Sequence, residues 1–243
     1  MTEKPVQETN SASVRISDVW KIFEQEPEDV PAVQGVTLEI HPGEFLAMAG
    51  PSGSGKTTLL NLIGGLTRPS RGHIWIGEED LSELSTRELA SLRLNRIGFI
   101  FQAYNLLPVL TAFENAEFPM LLMGVEEQER HRRVHELFER TGLAGLESRR
   151  PGKLSGGQQQ RVAVIRAVAG QPALVLADEP TANLDSTASG SLLDMMAELN
   201  REFQTTFVFA THDPRVMDRS RRLIRLVDGA IETDERRGPE PDR

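Results

Sequence analysis

The sequence predicts an α/β fold, a core of strands and helices that an all-helical segment interrupts. Three observations point to this fold. The apolar run 45–49 leads into a glycine-rich loop, and the helix-forming run 57–63 follows that loop. From 111 to about 169 the periodicity is helical and no strand is evident. An apolar run at 173–177 then restores the strand–helix alternation, so we expect one core with a helical insertion.

Length, net charge and composition limit the classes to which this protein can belong. The chain has 243 residues, which fits one large domain or a core with an inserted subdomain. Its formal net charge of −9 argues against a protein that coats nucleic acid, because such proteins usually carry a basic face. Disulfides, cysteine zinc sites and thiol catalysis are excluded because the chain has no cysteine. No apolar run approaches the roughly 20 residues that span a bilayer, so a role at a membrane would need a membrane partner.

The regular elements follow from local patterns. Apolar alternation and short apolar runs predict strands over 14–19, 32–40, 45–49, 73–76, 97–101, 173–177, 206–210 and 222–227. Helical spacing predicts helices over 57–63, 85–94, 126–142, 154–169 and 186–203. Ser85 and Glu88 have the spacing of a capping box and mark one helix start. Val134, Leu137 and Phe138 share one face of the helix over 126–142.

The remaining segments are predicted to be a loop, a turn and two chain ends. The acidic stretch 24–31 contains two prolines and is expected to be a loop. Asp228 and Gly229 signal a hairpin turn. Residues 1–13 are polar, lack the apolar core of a signal peptide and are predicted to be a disordered tail. Residues 233–243 are charged and contain proline, which predicts a frayed end.

The loop after the third strand reads G-x-x-x-x-G-K-T, the pattern of a phosphate-binding loop. Glycines let the backbone turn so that its N–H groups face phosphate oxygens, and the positive end of the next helix favours the same anion. Lys56 is expected to reach the β- and γ-phosphates, and the Thr57 hydroxyl to hold Mg²⁺. The loop alone predicts that ATP or GTP binds, and the nucleotide-binding residues predicted here are Gly50, Pro51, Ser52, Gly53, Ser54, Gly55, Lys56, Thr57 and Thr58.

Two acids end the apolar run that begins at Leu174. A buried strand would carry Asp178 and Glu179 to the carboxyl edge of a sheet, where α/β proteins bind ligands. We expect Asp178 to hold Mg²⁺ through water and Glu179 to polarise an attacking water. The alternative is a solvated pair at a strand end. The phosphate-binding loop upstream favours the functional interpretation.

A second glycine-rich motif lies between these two sites. The residues Leu154, Ser155, Gly156, Gly157 and Gln158 open a predicted helix. Backbone N–H groups and the helix dipole at such a start make a second anion cradle. The alternative is an ordinary glycine-rich helix cap.

Taken together, the motifs resemble those of the ATP-binding-cassette (ABC) ATPases, over roughly 14–232. Gly50 to Thr57 matches the Walker A loop, Gln102 the Q-loop glutamine, and Leu154 to Gln158 the family signature. Asp178 and Glu179 match Walker B and its catalytic glutamate. Asp185 lies in the D-loop, and His212 follows a strand as the switch histidine does. Phe23 lies where the family stacks an aromatic ring on adenine, although a lone aromatic is more often a core residue.

The resemblance implies the architecture and the mechanism. The fold would be a P-loop NTPase core with a mixed, mainly parallel sheet, an antiparallel β subdomain and a helical subdomain at about 103–170. Two copies would face each other, each ATP lying between one phosphate loop and the signature residues of the other copy. Glu179, His212 and Gln102 would be catalytic, with His212 on the γ-phosphate and Gln102, like Thr57 and Asp178, near Mg²⁺. The cofactors are ATP and Mg²⁺, and we expect an active ATPase.

The segment after Gln102 looks like that of the lipoprotein-release and macrolide-export branch, in which the ATPase drives a separate permease; Ala182 replaces the glycine usual there. This implies a homodimer with integral-membrane subunits, peripheral on the cytoplasmic face of the inner membrane and without nucleic acid. The apolar, proline-containing stretch after Gln102 predicts a docking surface near Asn105, Leu106, Leu107 and Glu114. Alternatives are a cell-division cassette, a small-solute importer and, from another class, a soluble non-transport ATPase.

Overall fold

The computed structural model describes residues 13–24, 26 and 28–237. The strands are β1 (Val14–Phe23), β2 (Val30–Ile40), β3 (Phe45–Ala49), β4 (Arg71–Ile76), β5 (Glu79–Asp80), β6 (Ile97–Ile100), β7 (Leu174–Asp178), β8 (Thr206–Thr211), β9 (Arg222–Val227) and β10 (Ala230–Arg236). The helices are α1 (Lys56–Ile63), α2 (Thr86–Arg96), α3 (Ala112–Leu122), α4 (Glu127–Arg140), α5 (Gly156–Val168), α6 (Ser186–Phe203) and α7 (Pro214–Arg219).

A six-stranded sheet carries the core, in the order β10-β9-β3-β8-β7-β6. Strands β9, β3, β8, β7 and β6 are parallel, and β10 runs antiparallel to β9. All five residues of β3 are buried. Phe45 and Ala47 belong to the hydrophobic cluster under the helical segment, whereas Leu46 and Met48 belong to the cluster under the smaller sheet. The predicted mixed, mainly parallel core is confirmed.

The second sheet is antiparallel, in the order β2-β1-β4-β5. It buries one face and exposes the other: Val14 and Ile16 are buried, and Arg15 between them is exposed. Its first two strands are longer than predicted, because Phe23 pairs with Val30. The prediction of a loop over 24–31 is therefore wrong for Val30 and Pro31, which belong to β2. Pro31 is tolerated because β2 is an edge strand, where a missing N–H need not break a ladder.

The predicted helical insertion is confirmed. Between Ile100 and Leu174, a fully described stretch, the chain forms α3, α4 and α5 with a short 3₁₀ turn at Pro151–Lys153, and no strand. On α4 the predicted face, Val134 with Leu137 and Phe138, is buried. Outside the insertion, the capping box of Ser85 and Glu88 forms at the start of α2. The boundaries 103–170 remain a prediction.

The C-terminal end differs from the prediction. Residues 233–236 are not frayed but belong to β10, which pairs with β9 through a turn at Asp228 (φ 47°) and Gly229 (φ 78°). The buried Arg222 anchors this strand, since it donates to Asp234 at 2.7 Å and to Glu44 at 2.9 Å. The charged residues at 233–236 predicted a frayed end, but these ion pairs hold the segment in a strand. The rest of the predicted frayed end (238–243) and the predicted tail up to residue 12 lie outside the described residues.

Candidate active site

The carboxyl ends of four parallel strands converge on one cavity. The phosphate-binding loop follows β3, Gln102 follows β6, Glu179 follows β7 and His212 follows β8. The cavity has a volume of about 630 Å³. Its lining residues are Ala32, Pro51, Ser52, Gly53, Ser54, Gly55, Lys56, Thr57, Thr58, Gln102, Glu179, Ala182 and His212. The structure therefore brings most of the residues predicted to bind ATP into one place.

The glycines of the loop are required by close backbone approach. A Cβ on Gly50 would lie 2.2 Å from the Leu226 carbonyl oxygen, which no side chain can tolerate. Gly55 has φ +93°, and its Cβ would lie 2.3 Å from the carbonyl oxygen of Ala32. The loop is thus packed directly against backbone of β2 and β9. This close packing against the sheet restricts the shape of the loop.

Lys56 is held inside the loop. Its Nζ donates to the carbonyl oxygens of Gly50 and Pro51, both at 2.8 Å, and the residue is only 9% exposed. No carboxylate forms an ion pair with it among the described residues. A nearly buried cation held by carbonyl oxygens, in a cavity open to solvent, is suited to binding a polyanion such as a triphosphate.

Thr57 and Asp178 form the next part of the site. The Thr57 hydroxyl donates to Asp178 Oδ1 at 2.9 Å, across the intervening strand β8. Burial raises the pKa of the Asp178 carboxyl, as does the charge of Glu179, while the Thr57 hydrogen bond opposes the shift. No three His, Cys, Asp or Glu side chains cluster as a metal site in the described part of the chain. The Thr57–Asp178 pair suits Mg²⁺, which is commonly held by one or two carboxylates together with phosphate oxygens.

Glu179 occupies an unusual backbone position at the cavity wall. Its φ is 44°, which is uncommon for a residue with a side chain and costs energy that neighbouring contacts must offset. Its N–H donates to Ala210 O at 2.9 Å, and its two carboxylate oxygens contact His212 Nδ1 at 2.6 Å and the Thr211 hydroxyl at 3.2 Å. The carboxylate is thereby fixed beside the phosphate-binding loop, where a general base would be needed.

The loop after Glu179 is braced by residues that the sequence interpretation did not single out. Thr181 donates to Asp213 Oδ2 at 2.7 Å, and Arg215 binds the same carboxylate with two nitrogens. Burial alone would raise the pKa of Asp213, but these hydrogen bonds outweigh it and lower the pKa to about 2. Asn183 donates to the Gln102 carbonyl oxygen at 2.9 Å, which ties this loop to the end of β6. The predicted D-loop residue Asp185 caps α6 by accepting from the Ala188 N–H at 2.8 Å.

The signature residues lie apart from the cavity. Ser155 caps α5: its hydroxyl accepts from the Gln158 N–H at 3.3 Å, and its own N–H donates to Gln158 Oε1 at 2.9 Å. None of the residues from Ser155 to Gln158 lines the cavity. A Cβ on Gly156 would lie 3.0 Å from the Tyr104 hydroxyl, so this glycine packs closely against the Tyr104 side chain.

Phe23 and the predicted docking residues are on the surface. Phe23 is 45% exposed, lies under Lys21 Nζ at 5.1 Å and does not line the cavity; its contact with adenine stays a prediction. Leu107 is 40% exposed, whereas Leu106 packs partly against the core. Glu114 caps α3 with Thr111, and those hydrogen bonds lower the pKa of its carboxyl. Asn105 has a positive φ (51°) and lines a separate groove of about 350 Å³.

Comparison with known proteins identifies relatives over most of the chain. The family profile described as ABC transporter matches residues 33–182. An uncharacterized ABC transporter ATP-binding protein of Thermotoga maritima is 47% identical over 93% of this chain and 96% of its own length. The lipoprotein-releasing system ATP-binding protein LolD of Pseudomonas fluorescens is 42% identical over 92% of this chain and 98% of its own.

Two further similarities concern a longer protein and a solved structure. The macrolide export ATP-binding/permease protein MacB of Syntrophobacter fumaroxidans is 43% identical over 91% of this chain, which spans only 31% of MacB. The ATP-binding cassette MJ0796, solved as a dimer in a post-hydrolysis state bound to ADP and Pi, has a TM-score of 0.86 and 40% identity. That match covers 93% of this chain and 99% of MJ0796. Within the described residues of the present chain, no helix is both long and apolar enough to cross a lipid bilayer.

Proposed function

The chain belongs to the ABC transporter family and is an ATP-hydrolysing subunit, and from this premise we propose that it drives a separate membrane permease of the lipoprotein-release or macrolide-export kind. Full-length similarity to LolD, and to MacB over its ATP-binding part, supports this branch. The subunit would then lie on the cytoplasmic face of the inner membrane, held there by its partner. Its work would be mechanical, pulling or releasing substrate on the far side of the membrane.

In the proposed reaction Glu179 is the general base. Lys56 and the backbone of the loop hold the β- and γ-phosphates, and His212 contacts the γ-phosphate. A water attacks the γ-phosphorus in line, the bond to the ADP oxygen breaks, and Glu179 takes the proton of the water. The observation that carries this assignment is the Glu179 carboxylate, fixed by His212 at 2.6 Å at the wall of the cavity. Mg²⁺, held by Thr57 and Asp178 with Gln102 nearby, would neutralise phosphate charge.

A second copy of the chain would complete the site. The Ser155–Gly157 cradle starts α5, a helix of 13 residues, and lies outside the cavity of its own chain. The N–H groups of a helix start lack intrahelical partners and favour anions. We assign the cradle to the γ-phosphate of the opposing copy. The dimeric state of MJ0796 supports this arrangement.

The permease would dock beside the helical insertion. The groove of about 350 Å³ lies between α2, β6 and α3 and includes Leu66, Phe118 and Leu122, of which Leu66 and Leu122 are exposed. Asn105 lines it, and Leu107 and Val109 expose 40% and 72% of their surface close by in the chain. Exposed apolar surface of this kind marks an interaction site, and a short helix of a membrane subunit would fit it.

The decisive experiment is Glu179→Gln. The amide keeps the shape of the side chain but cannot accept the proton, so turnover should fall about 10²–10⁴-fold. The phosphate loop and cradle stay intact, and the amide removes a carboxylate that repels the triphosphate. ATP should therefore trap a long-lived dimer, which size-exclusion chromatography with MgATP detects, alone or with the permease. Near-normal hydrolysis by this variant would move the base to another residue.

A further inference from the structure

Gln160 is a buried polar residue on α5 that the mechanism above does not use. It is fully buried, and its Nε2 donates to the Pro180 carbonyl oxygen at 2.9 Å. Its Oε1 has no hydrogen-bond partner among the described residues. A buried amide oxygen without a hydrogen-bond partner lowers the stability of the fold. An apolar side chain would avoid this cost, so the presence of a glutamine here suggests a role for its other hydrogen bond.

The carbonyl oxygen that accepts this hydrogen bond belongs to Pro180, next to the strained backbone of Glu179. Pro180 is buried and directly follows Glu179, whose φ of 44° is held in place from several sides. On the amino side, the Glu179 N–H donates to Ala210 O; on the carboxyl side, Gln160 holds the peptide of Pro180. The direction of the Glu179 carboxylate depends on both anchors, because a strained backbone relaxes when one is lost.

Gln160 also lies on the helix that begins with the signature residues. Ser155, Gly156 and Gly157 start α5, and Gln160 is one turn further on. One rigid helix therefore carries both the cradle for the second copy's nucleotide and the donor to the Glu179–Pro180 loop. Movement of the cradle would be transmitted to the base through a single buried hydrogen bond.

We propose that Gln160 is a positioning residue for ATP hydrolysis, which aligns Glu179 through the Pro180 carbonyl and links that alignment to the engagement of the signature helix. This inference rests on the proposed role of Glu179 as the base. Gln160 does not line the nucleotide cavity. Its loss should therefore lower kcat without changing KM for ATP, because Lys56 and Thr57 are untouched.

The test is Gln160→Met, which keeps the length of the side chain and removes the donor. A misalignment of about 1 Å costs on the order of 10²-fold in rate, so kcat should fall by about that factor. ATP-bound dimer should accumulate, as with Glu179→Gln. The matched control is Thr205→Val, since the buried Thr205 hydroxyl donates to another proline carbonyl, Pro172 O, at 3.0 Å, near the amino ends of β7 and β8. The control should lower the melting temperature and leave kcat unchanged.

The outcomes separate the two proposals. If Gln160→Met loses stability as the control does but keeps kcat, while Glu179→Gln is inactive, the positioning role is wrong and the proposed function stands. If Glu179→Gln remains active, the proposed function fails and this inference fails with it. If Gln160→Met does not fold, Gln160→Asn decides, because it keeps the amide but is too short to reach Pro180. A normal kcat in that variant overturns the inference.

Discussion

The nucleotide cavity and the signature cradle are both phosphate-binding structures, yet they differ in how far one chain completes them. In the cavity the functional groups already hold one another: Lys56 binds the loop carbonyls, Thr57 binds Asp178, and Glu179 binds His212. The cradle at Ser155 has its capping box but faces none of these groups. The difference indicates that one chain positions the catalytic side chains by itself, and that hydrolysis begins when a second chain supplies its cradle. Side chains that are already in position need little reorganisation when the nucleotide binds.

The largest effect is expected inside the cavity. Lys56→Ala removes the cation that would face the β- and γ-phosphates, so turnover should fall at least about 10³-fold, the upper range for loss of one positioned donor. ATP binding, measured by calorimetry, should be lost as well. Robust hydrolysis by this variant would falsify the assignment of the loop.

A change in the cradle should separate binding from turnover. Ser155→Arg places a bulky side chain where the second copy's phosphate would lie, so turnover should fall about 10²-fold, as expected when a trans contact to the reacting phosphate is lost. ATP binding to each chain should persist, because the cavity is untouched. In the Glu179→Gln background the same change should abolish the trapped dimer. If that dimer still forms, the two copies do not meet through this cradle.

The docking surface should give a smaller effect, and only in the complex. Leu107→Glu puts a charge on an exposed apolar residue, and truncating or charging such an anchor costs about 1–2 kcal/mol, or roughly tenfold in affinity for the permease. Isolated ATPase activity should stay normal, while activity coupled to transport falls. Co-purification and transport at wild-type levels would place the docking site elsewhere.

An effect of similar size, on stability instead of affinity, concerns Asp213 and its partners behind the cavity. The pKa of Asp213 is lowered to about 2, so this carboxylate stabilises the fold above the pKa it has in the unfolded chain and loses that contribution as pH falls from about 4 to about 2. Asp213→Asn should cost roughly 1–2 kcal/mol at neutral pH, reduced from the full shift because the site is partly solvated. Chemical denaturation at pH 7 and pH 3 should show a wild-type advantage that shrinks in acid. An equal difference at both values would contradict the assignment.

Sequence alone could predict the residues whose position follows from their own strand. Lys56 follows β3 after the phosphate loop, Asp178 ends β7, and His212 directly follows β8, so their convergence follows from sheet topology. It could not predict contacts set by distant partners. Gln160 reaches Pro180, and Asn183 reaches Gln102, across 20 and 81 positions, through packing that no local pattern records.

The same reason explains the errors at the ends of elements. The charges at 233–236 indicate a loose end when considered locally, but Arg222 provides a buried partner for Asp234. Likewise, the acidic stretch before Pro31 conceals the pairing of Phe23 with Val30. Phe23 is not a core residue, because its ring is exposed beside Lys21, and its contact with adenine stays a prediction.

Strand β3 has a consequence for which insertions and deletions the chain can tolerate. Its side chains alternate between two hydrophobic clusters, with Phe45 and Ala47 in one and Leu46 and Met48 in the other. A shift of one residue would exchange these sets and put a phenylalanine where the other core holds a leucine, because side chains alternate with a period of two. Gain or loss of a single residue within 45–49 should therefore prevent folding. The register of β3 therefore also fixes where the phosphate loop begins.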